Sequence, residues 1–218
     1  MNSSKLCWPP AVTVDTVVFT IEDGKLKVLL IKRDKNPFVG SWSLPGGFLM
    51  KNETSEKAAL RILKEKTGVK NVYFEQLYTF DSLSRDPRGH VLTVSYFALI
   101  DRNKIQLRTG AFHNANALPS LAFDHKKIIA YALKRLGYKL EYTNLVFSLL
   151  PEKFTFGQLQ NAYQIILGKK LDKRNFRKKF MALNLIKSVK AKAIDTGHRP
   201  AQFYAFISRK PLELKRFF

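Results

Sequence analysis

Residues able to do chemistry crowd into PGGFLMKNETSEKAALRILKEKTGV, Pro45 to Val69. Two glycines, Gly46 and Gly47, precede a stretch that reads as a helix from Thr54 to Thr67, stopped by Gly68. A glycine pair ahead of a helix lets the backbone turn tightly and can aim amide groups at a diphosphate. At helical spacing, positions 62, 65 and 66 fall on one face, so their side chains converge. This chain places Ile62, Glu65 and Lys66 there, so their charges cancel. Magnesium needs hard, negative oxygen ligands, and an ammonium group in the cluster repels it. Metal-assisted hydrolysis is therefore not expected of this helix, and neither a bound metal nor a cofactor is called for.

Two further segments carry charge in a usable arrangement. The turn-rich stretch DSLSRDPRGH holds Arg85 and Arg88 around Pro87, a candidate grip for phosphate groups. Nearer the C-terminus, Asp172 can cap a helix KRNFRKKFMALNLI. Phe176, Phe180 and Leu183 recur on it as a buried stripe, while Arg174, Arg177, Lys178 and Met181 point the other way. Arginines near the start of such a helix suit the major groove, where they read guanine, while lysines such as Lys173 and Lys178 hold phosphate.

These groups need a scaffold. Ala11 to Thr20 and Lys27 to Lys32 read as two strands of a hairpin through Glu22, Asp23 and Gly24. Asn71 to Phe80 and Val91 to Ile100 read as further strands, and Asp124 to Tyr138 as an amphipathic helix capped by Asp124, with His125 a satisfied neighbour. Trp42 and Phe38 are expected to serve packing. From about Tyr142 the pattern changes. Asn144 to Leu150 suggests a short helix, and Thr155 with Gln158 a capping box on a helix to Leu167, closed by Gly168. After the basic helix, Ile186 to Ala193 and Gln202 to Ile207 read as strands around the turn AIDTGHRPA. Three helices and a hairpin make a winged helix-turn-helix, with Arg199 in the wing able to reach phosphate or the minor groove. The expected fold is an α/β/α sandwich over residues 1–140 followed by a winged helix-turn-helix over 141–218.

The bulk numbers agree with a nucleic-acid partner. The chain has 218 residues and a formal charge of +21. Residues 141–218 hold 16 Lys and Arg against 5 Asp and Glu, nearly twice the net charge density of the first 140. Such a balance points to polyanions, with an acidic membrane surface as the competing partner. No apolar run is long enough to span a bilayer, no signal-peptide core opens the chain, and Cys7 is the sole cysteine. A reducing cytoplasm fits.

Gly47, Glu53, Arg61, Leu63, Glu65, Gly68 and Val69 fall on the spacing of the Nudix box, which this segment resembles; Ile62 and Lys66 stand where that pattern has Glu. In Nudix proteins the glutamates hold divalent metals, and the resemblance implies a structural Glu53–Arg61 pair, with Glu65 left to an ion pair. The runs LLIKR, PFVGSWSLPGGF, EQLYTF, RDPRG and LPSLAFDH, then FSLLPEKFTFGQLQNAY, LDKRNFRKKF and GHRPAQFY, extend the likeness to nearly the whole chain. Together they resemble the NrtR family of Nudix-related transcriptional regulators. The resemblance implies a bacterial repressor of NAD-related genes, usually a homodimer on an operator of double-stranded DNA, with ADP-ribose or a related nucleotide as effector. Gly46, Gly47, Lys66, Arg85 and Arg88 are then the candidate effector contacts, with Lys66 supplying the positive charge that a metal gives a Nudix substrate. Met50, Lys51 and the segment TGAFHNANALP depart from the family pattern. Alternatives are an active ADP-ribose or nucleotide-sugar pyrophosphatase, a sugar-responsive regulator of the same architecture, and a nucleic-acid binder without effector control.

Overall fold

One long buried strand organises the N-terminal half. The structure, a computed structural model, describes residues 9–69, 72–190 and 201–215. In β1 (Ala11–Glu22), Val14 and Val18 turn toward α1 (Ser55–Thr67), while Val17 and Phe19 join the apolar cluster containing α2 (His125–Tyr142). Side chains alternate across a strand, so a strand apolar on both faces must lie between two layers. β1 turns into β2 (Lys25–Lys32) through Asp23 and Gly24, both at positive φ, the hairpin expected from the sequence. On its other side β1 runs parallel to β6 (Val91–Leu99), which pairs antiparallel with β5 (Tyr73–Phe80). Three short strands complete the sheet: β3 (Trp42–Ser43) and β7 (Ala111–Asn114) on β2, and β4 (Gly46–Phe48) on β1. The α/β/α sandwich is as anticipated.

Local signals set most element ends. Thr54 accepts a hydrogen bond from the Lys57 N–H, and Gly68 closes α1 in the left-handed region at φ 70°. α2 continues beyond the expected end at Tyr138 because Leu136 and Leu140 remain on its buried stripe. Burying them outweighs the roughly 1 kcal/mol cost of Gly137 within a helix. In the C-terminal half, Leu145–Leu149 forms a 3-10 turn and not an α-helix, followed by β8 (Phe154–Thr155). The capping box of Thr155 and Gln158 opens α3 (Phe156–Leu167), and Gly168 closes it. Asp172 caps α4 (Lys173–Ala182) by accepting from the Asn175 N–H at 2.8 Å. This helix stops short of the expected Ile186 because Asn184, at φ 53°, turns the chain into β9 (Ile186–Val189). β10 (Phe203–Phe206) lies between β8 and β9, giving the winged-helix arrangement. The expected wing turn, with Arg199, lies outside the described residues.

One apolar core runs through both halves. Ile128, Ile129, Ala132, Leu136 and Leu140 of α2 share a cluster with Phe19 and Phe97 of the sheet and with Phe156, Phe176 and Phe180 of the winged helix. The segment after β10 returns to the end of α2. The Leu212 N–H donates to Asn144 Oδ1 at 2.8 Å, and Arg209 donates to the carbonyls of Phe147, Leu150 and Pro151. Among the described residues no helix is long and apolar enough to cross a membrane.

The glycine pair lies in strand β4, and neither residue adopts positive φ, so a tight turn is not the reason for it. The reason is close approach. A Cβ on Gly46 would lie 2.2 Å from Asp15 Oδ1 and 2.6 Å from the Val14 carbonyl, whereas one on Gly47 would meet only Ile62 Cδ1 at 3.6 Å. Gly46→Ala should therefore destabilise the protein by about 1–3 kcal/mol. Gly47→Ala should stay within roughly 0.5 kcal/mol of the parent. Denaturant unfolding of the two variants tests this, and equal midpoints would refute the packing argument.

Candidate effector cavity and nucleic-acid interface

Strands β1 and β4, the loop after β2, the β5–β6 loop and the start of α2 enclose a cavity of about 760 Å³. That volume suits a single small-molecule ligand. Gly46, Gly47, Lys66, Arg85 and Arg88, the five residues singled out in the sequence, all line it. So do Lys32, Arg33, Lys35, Trp42, Phe48 and Phe123. Six cationic side chains face Asp15, Asp34 and Asp86, which leaves the wall positive and suited to an anion.

Arg85 is deeply buried, unlike a residue of a solvated loop. Its Nη2 lies 3.0 Å from Asp124 Oδ1 and 3.4 Å from Asp15 Oδ2, and its Nε donates to Asp124 Oδ2 at 3.2 Å. This corrects the expected role of Asp124: it occupies the N-cap position of α2 but makes no capping bond, because its carboxylate serves Arg85. His125 Nδ1 accepts from the Leu44 N–H at 2.8 Å. A neutral ring accepting there carries its proton on Nε2, which lies 3.5 Å from Asp15 Oδ1. Burial pulls the imidazole below its ordinary pKa and favours that neutral form.

Arg88 is held by Asp86 through two hydrogen bonds of 2.9 and 2.7 Å, with its guanidinium 5.1 Å from the Phe48 ring centre. Phe123 lies between two guanidinium groups, 4.7 Å from Arg33 and 5.8 Å from Arg88. Burial, and then the like charge of Arg88, lower the pKa of Arg33. An anion seated at this lip would relieve the repulsion.

Positions 62, 65 and 66 share one face of the box helix, but only Lys66 of the three lines the cavity. Ile62 is 4% exposed and packs with Val14, Ala58, Ala59 and Tyr96 beneath the cavity. Lys66 lines the cavity, and Glu65 lies outside it, 3.6 Å from Arg61. An apolar side chain, an ammonium and a carboxylate paired elsewhere do not fit a magnesium site. Among the described residues no three His, Cys, Asp or Glu side chains group as metal ligands.

On α4, Phe176 and Phe180 are buried and Leu183 is partly buried, as its periodicity predicts. Lys173, Arg174 and Lys178 are exposed. Arg177 does not extend freely beside Arg174. Its Nη2 donates to Tyr204 Oη at 2.7 Å, and its guanidinium sits 4.8 Å from the Phe156 ring centre.

Residues 10–132 match the NUDIX domain, and residues 146–206 match the NrtR DNA-binding winged helix domain. The chain is 38% identical over 206 residues to the ADPR responsive transcriptional repressor NtrR of Acinetobacter baylyi, covering 90% of this chain and 82% of the relative. The chain belongs to the NrtR family of Nudix-domain regulators. Among NrtR structures, that of Shewanella oneidensis NrtR complexed with a 27mer DNA superposes with a TM-score of 0.78 at 36% identity, covering 89% of this chain and 93% of the other. The Shewanella NrtR Nudix domain complexed with ADP ribose matches at 41% identity and a TM-score of 0.53, covering 62% of this chain and 93% of that one.

In this NrtR-family chain the Glu53–Arg61 pair is structural, as its place in the box implied. Arg61 Nε and Nη2 lie 2.8 and 2.9 Å from the two carboxylate oxygens, and the Met50 N–H donates to Glu53 at 3.1 Å. The Arg61 bond, aided by that amide, lowers the Glu53 pKa from 4.5 to about 2. A carboxyl depressed by folding stabilises the native state above its unfolded pKa and loses that contribution as pH falls through the folded one. Glu53→Gln should lower the melting temperature at neutral pH, and the gap from the parent should close between about pH 4.5 and about pH 2. Paired thermal melts across that range test this; a constant gap would show the ionic pairing to be irrelevant.

Proposed function

We propose that this chain is a DNA-binding transcriptional repressor that senses ADP-ribose or a related nucleotide without hydrolysing it. Residues 1–140 form the sensing unit and residues 141–218 the reading unit. The observation that carries the proposal is a positive cavity of nucleotide size whose box helix offers Lys66 where Nudix proteins keep a metal-binding glutamate. The response named for the Acinetobacter relative, and the ADP-ribose complex of the Shewanella domain, support the choice of ligand. Gly46, Gly47, Lys66, Arg85 and Arg88 make or shape its site, and Arg33 joins them. An ammonium attracts a diphosphate as a point charge, but it cannot furnish the activated water of a metal site. Binding without destruction is what a sensor requires.

Operator DNA meets α4, with Arg174 reading a base and Lys173, Lys178 and Arg199 holding phosphate. The protein acts in the cytoplasm as a two-fold dimer on half-sites about one helical turn apart, with NAD-metabolism genes as its targets.

Calorimetry with ADP-ribose in EDTA should show binding by the parent protein and an affinity on the order of tenfold lower for Lys66→Met. No binding by the parent would reject the ligand, and equal affinities would reject the role of Lys66. Magnesium-dependent turnover of about 1 per second or more would restore the enzyme reading. Genomic fragments selected by the parent protein supply the operator. On it, Arg174→Ala should cost about 1–3 kcal/mol and relax preference at one base pair. An unchanged base preference would remove Arg174 from the groove.

A further inference from the structure

We infer that Tyr204 is a positioning residue for DNA binding, and that the side chain it positions, Arg177, clamps a phosphate and does not read a base. The inference rests on the DNA-binding reading of the winged helix and adds a division of labour within it. An arginine that reads guanine must run outward from its helix to the groove floor with two donors free along one edge. Arg177 is folded the other way. Its Nη2 donates to Tyr204 Oη at 2.7 Å, and its guanidinium lies 4.8 Å from the Phe156 ring centre and 5.7 Å from that of Tyr204.

The seat is built from three elements. Phe156 belongs to the first turn of α3, Arg177 to α4, and Tyr204 to the middle strand of the small sheet, where it pairs with Phe154 and Ser188. Both rings are buried, at 6% and 5% exposure, so the seat is part of the core and does not move independently of it. Arg177 itself remains exposed. Held there, a guanidinium lies close to the protein surface, where a duplex docked on α4 presents its backbone. Stacking and the tyrosine bond also fix its rotamer, which removes part of the entropy loss on binding. Among the described residues, Arg174 makes no hydrogen bond or ion pair, so its side chain stays extensible and base reading falls to it. Arg177 then adds charge and register but no sequence preference.

The test uses the full-length protein, the duplex recovered by selection, and a duplex of the same composition in scrambled order. Anisotropy titrations at several salt concentrations compare Tyr204→Phe, Arg177→Ala and the double variant with the parent. Arg177→Ala should weaken both duplexes by the same factor, about tenfold, and make the log–log salt slope shallower by about 0.9. Tyr204→Phe keeps the ring and its packing; it should weaken both duplexes equally, roughly threefold, with the slope retained. The double variant should bind no worse than Arg177→Ala alone, because the hydroxyl acts only through Arg177. Should Arg177→Ala fail to fold, Arg177→Gln supplies the charge-free variant and the same comparison. Selective loss on the chosen duplex, unchanged binding by Tyr204→Phe, or additive losses in the double variant would each overturn the inference. Parent protein that binds neither duplex would overturn the DNA-binding reading itself.

Discussion

Asp15 puts a carboxylate on the buried central strand of the sandwich, and its neutralisation dictates what surrounds it. Gly46 is a glycine because any Cβ there would collide with the Asp15 carboxylate. Arg85 reaches in from the β5–β6 loop to face both Asp15 and Asp124, and His125 completes the group with its neutral ring. Removing one partner from such a buried set strands a charge and costs on the order of 3–5 kcal/mol. The same four residues therefore fix strand β4, the β5–β6 loop and the first turn of α2 relative to one another. Asp15, Arg85 and His125 also line the cavity. The ligand wall and the fold are thus held by one electrostatic arrangement.

How much of this could be read beforehand depended on the range of the interaction. Caps, turns and stripes are local, and Gly68, Thr155 with Gln158, and Asp172 all act as their positions in sequence suggested. The Glu53–Arg61 pair spans eight residues within a recognisable box, and it too was accessible. Arg85 and Asp124 are 39 residues apart, and Arg177 and Tyr204 are 27 apart. No spacing rule connects such pairs, so Asp124 looked like a helix cap and Arg177 like a free reader. The short strands β4 and β7 escaped notice because three or four residues cannot establish an alternation. Phe123, flanked by Arg33 and Arg88, was equally invisible, since its φ of 56° and its ring partners belong to the folded chain.

The two departures from the Nudix box have different physical consequences. Ile62 has left the chemistry for the core: it fills space between Val14 and Tyr96 beneath Gly47, and a carboxylate there would be buried without a partner unless a cation accompanied it. Lys66 has stayed at the cavity wall and reversed its sign. An apolar side chain at position 62 needs no cation to be buried, and Lys66 adds positive charge to the cavity wall.

Sensing matters only if the cavity and the reading helix share a mechanical frame, and α2 supplies it. Its N-cap Asp124 holds Arg85, its length packs into a core continuous with α3 and α4, and the carbonyl of its last residue, Tyr142, accepts from the Leu214 N–H at 2.7 Å. Close-packed cores yield by switching between arrangements and not by gradual deformation. A ligand therefore alters DNA binding only to the extent that it favours one arrangement of this frame, and coupling between two sites is usually about 1–3 kcal/mol. Breaking a buried ion pair typically costs about 3–5 kcal/mol, and an anion drawn to Arg85 would compete with Asp15 and Asp124 directly. An anion reaching Arg85 would therefore act on the same contacts that join β1, the β5–β6 loop and the start of α2.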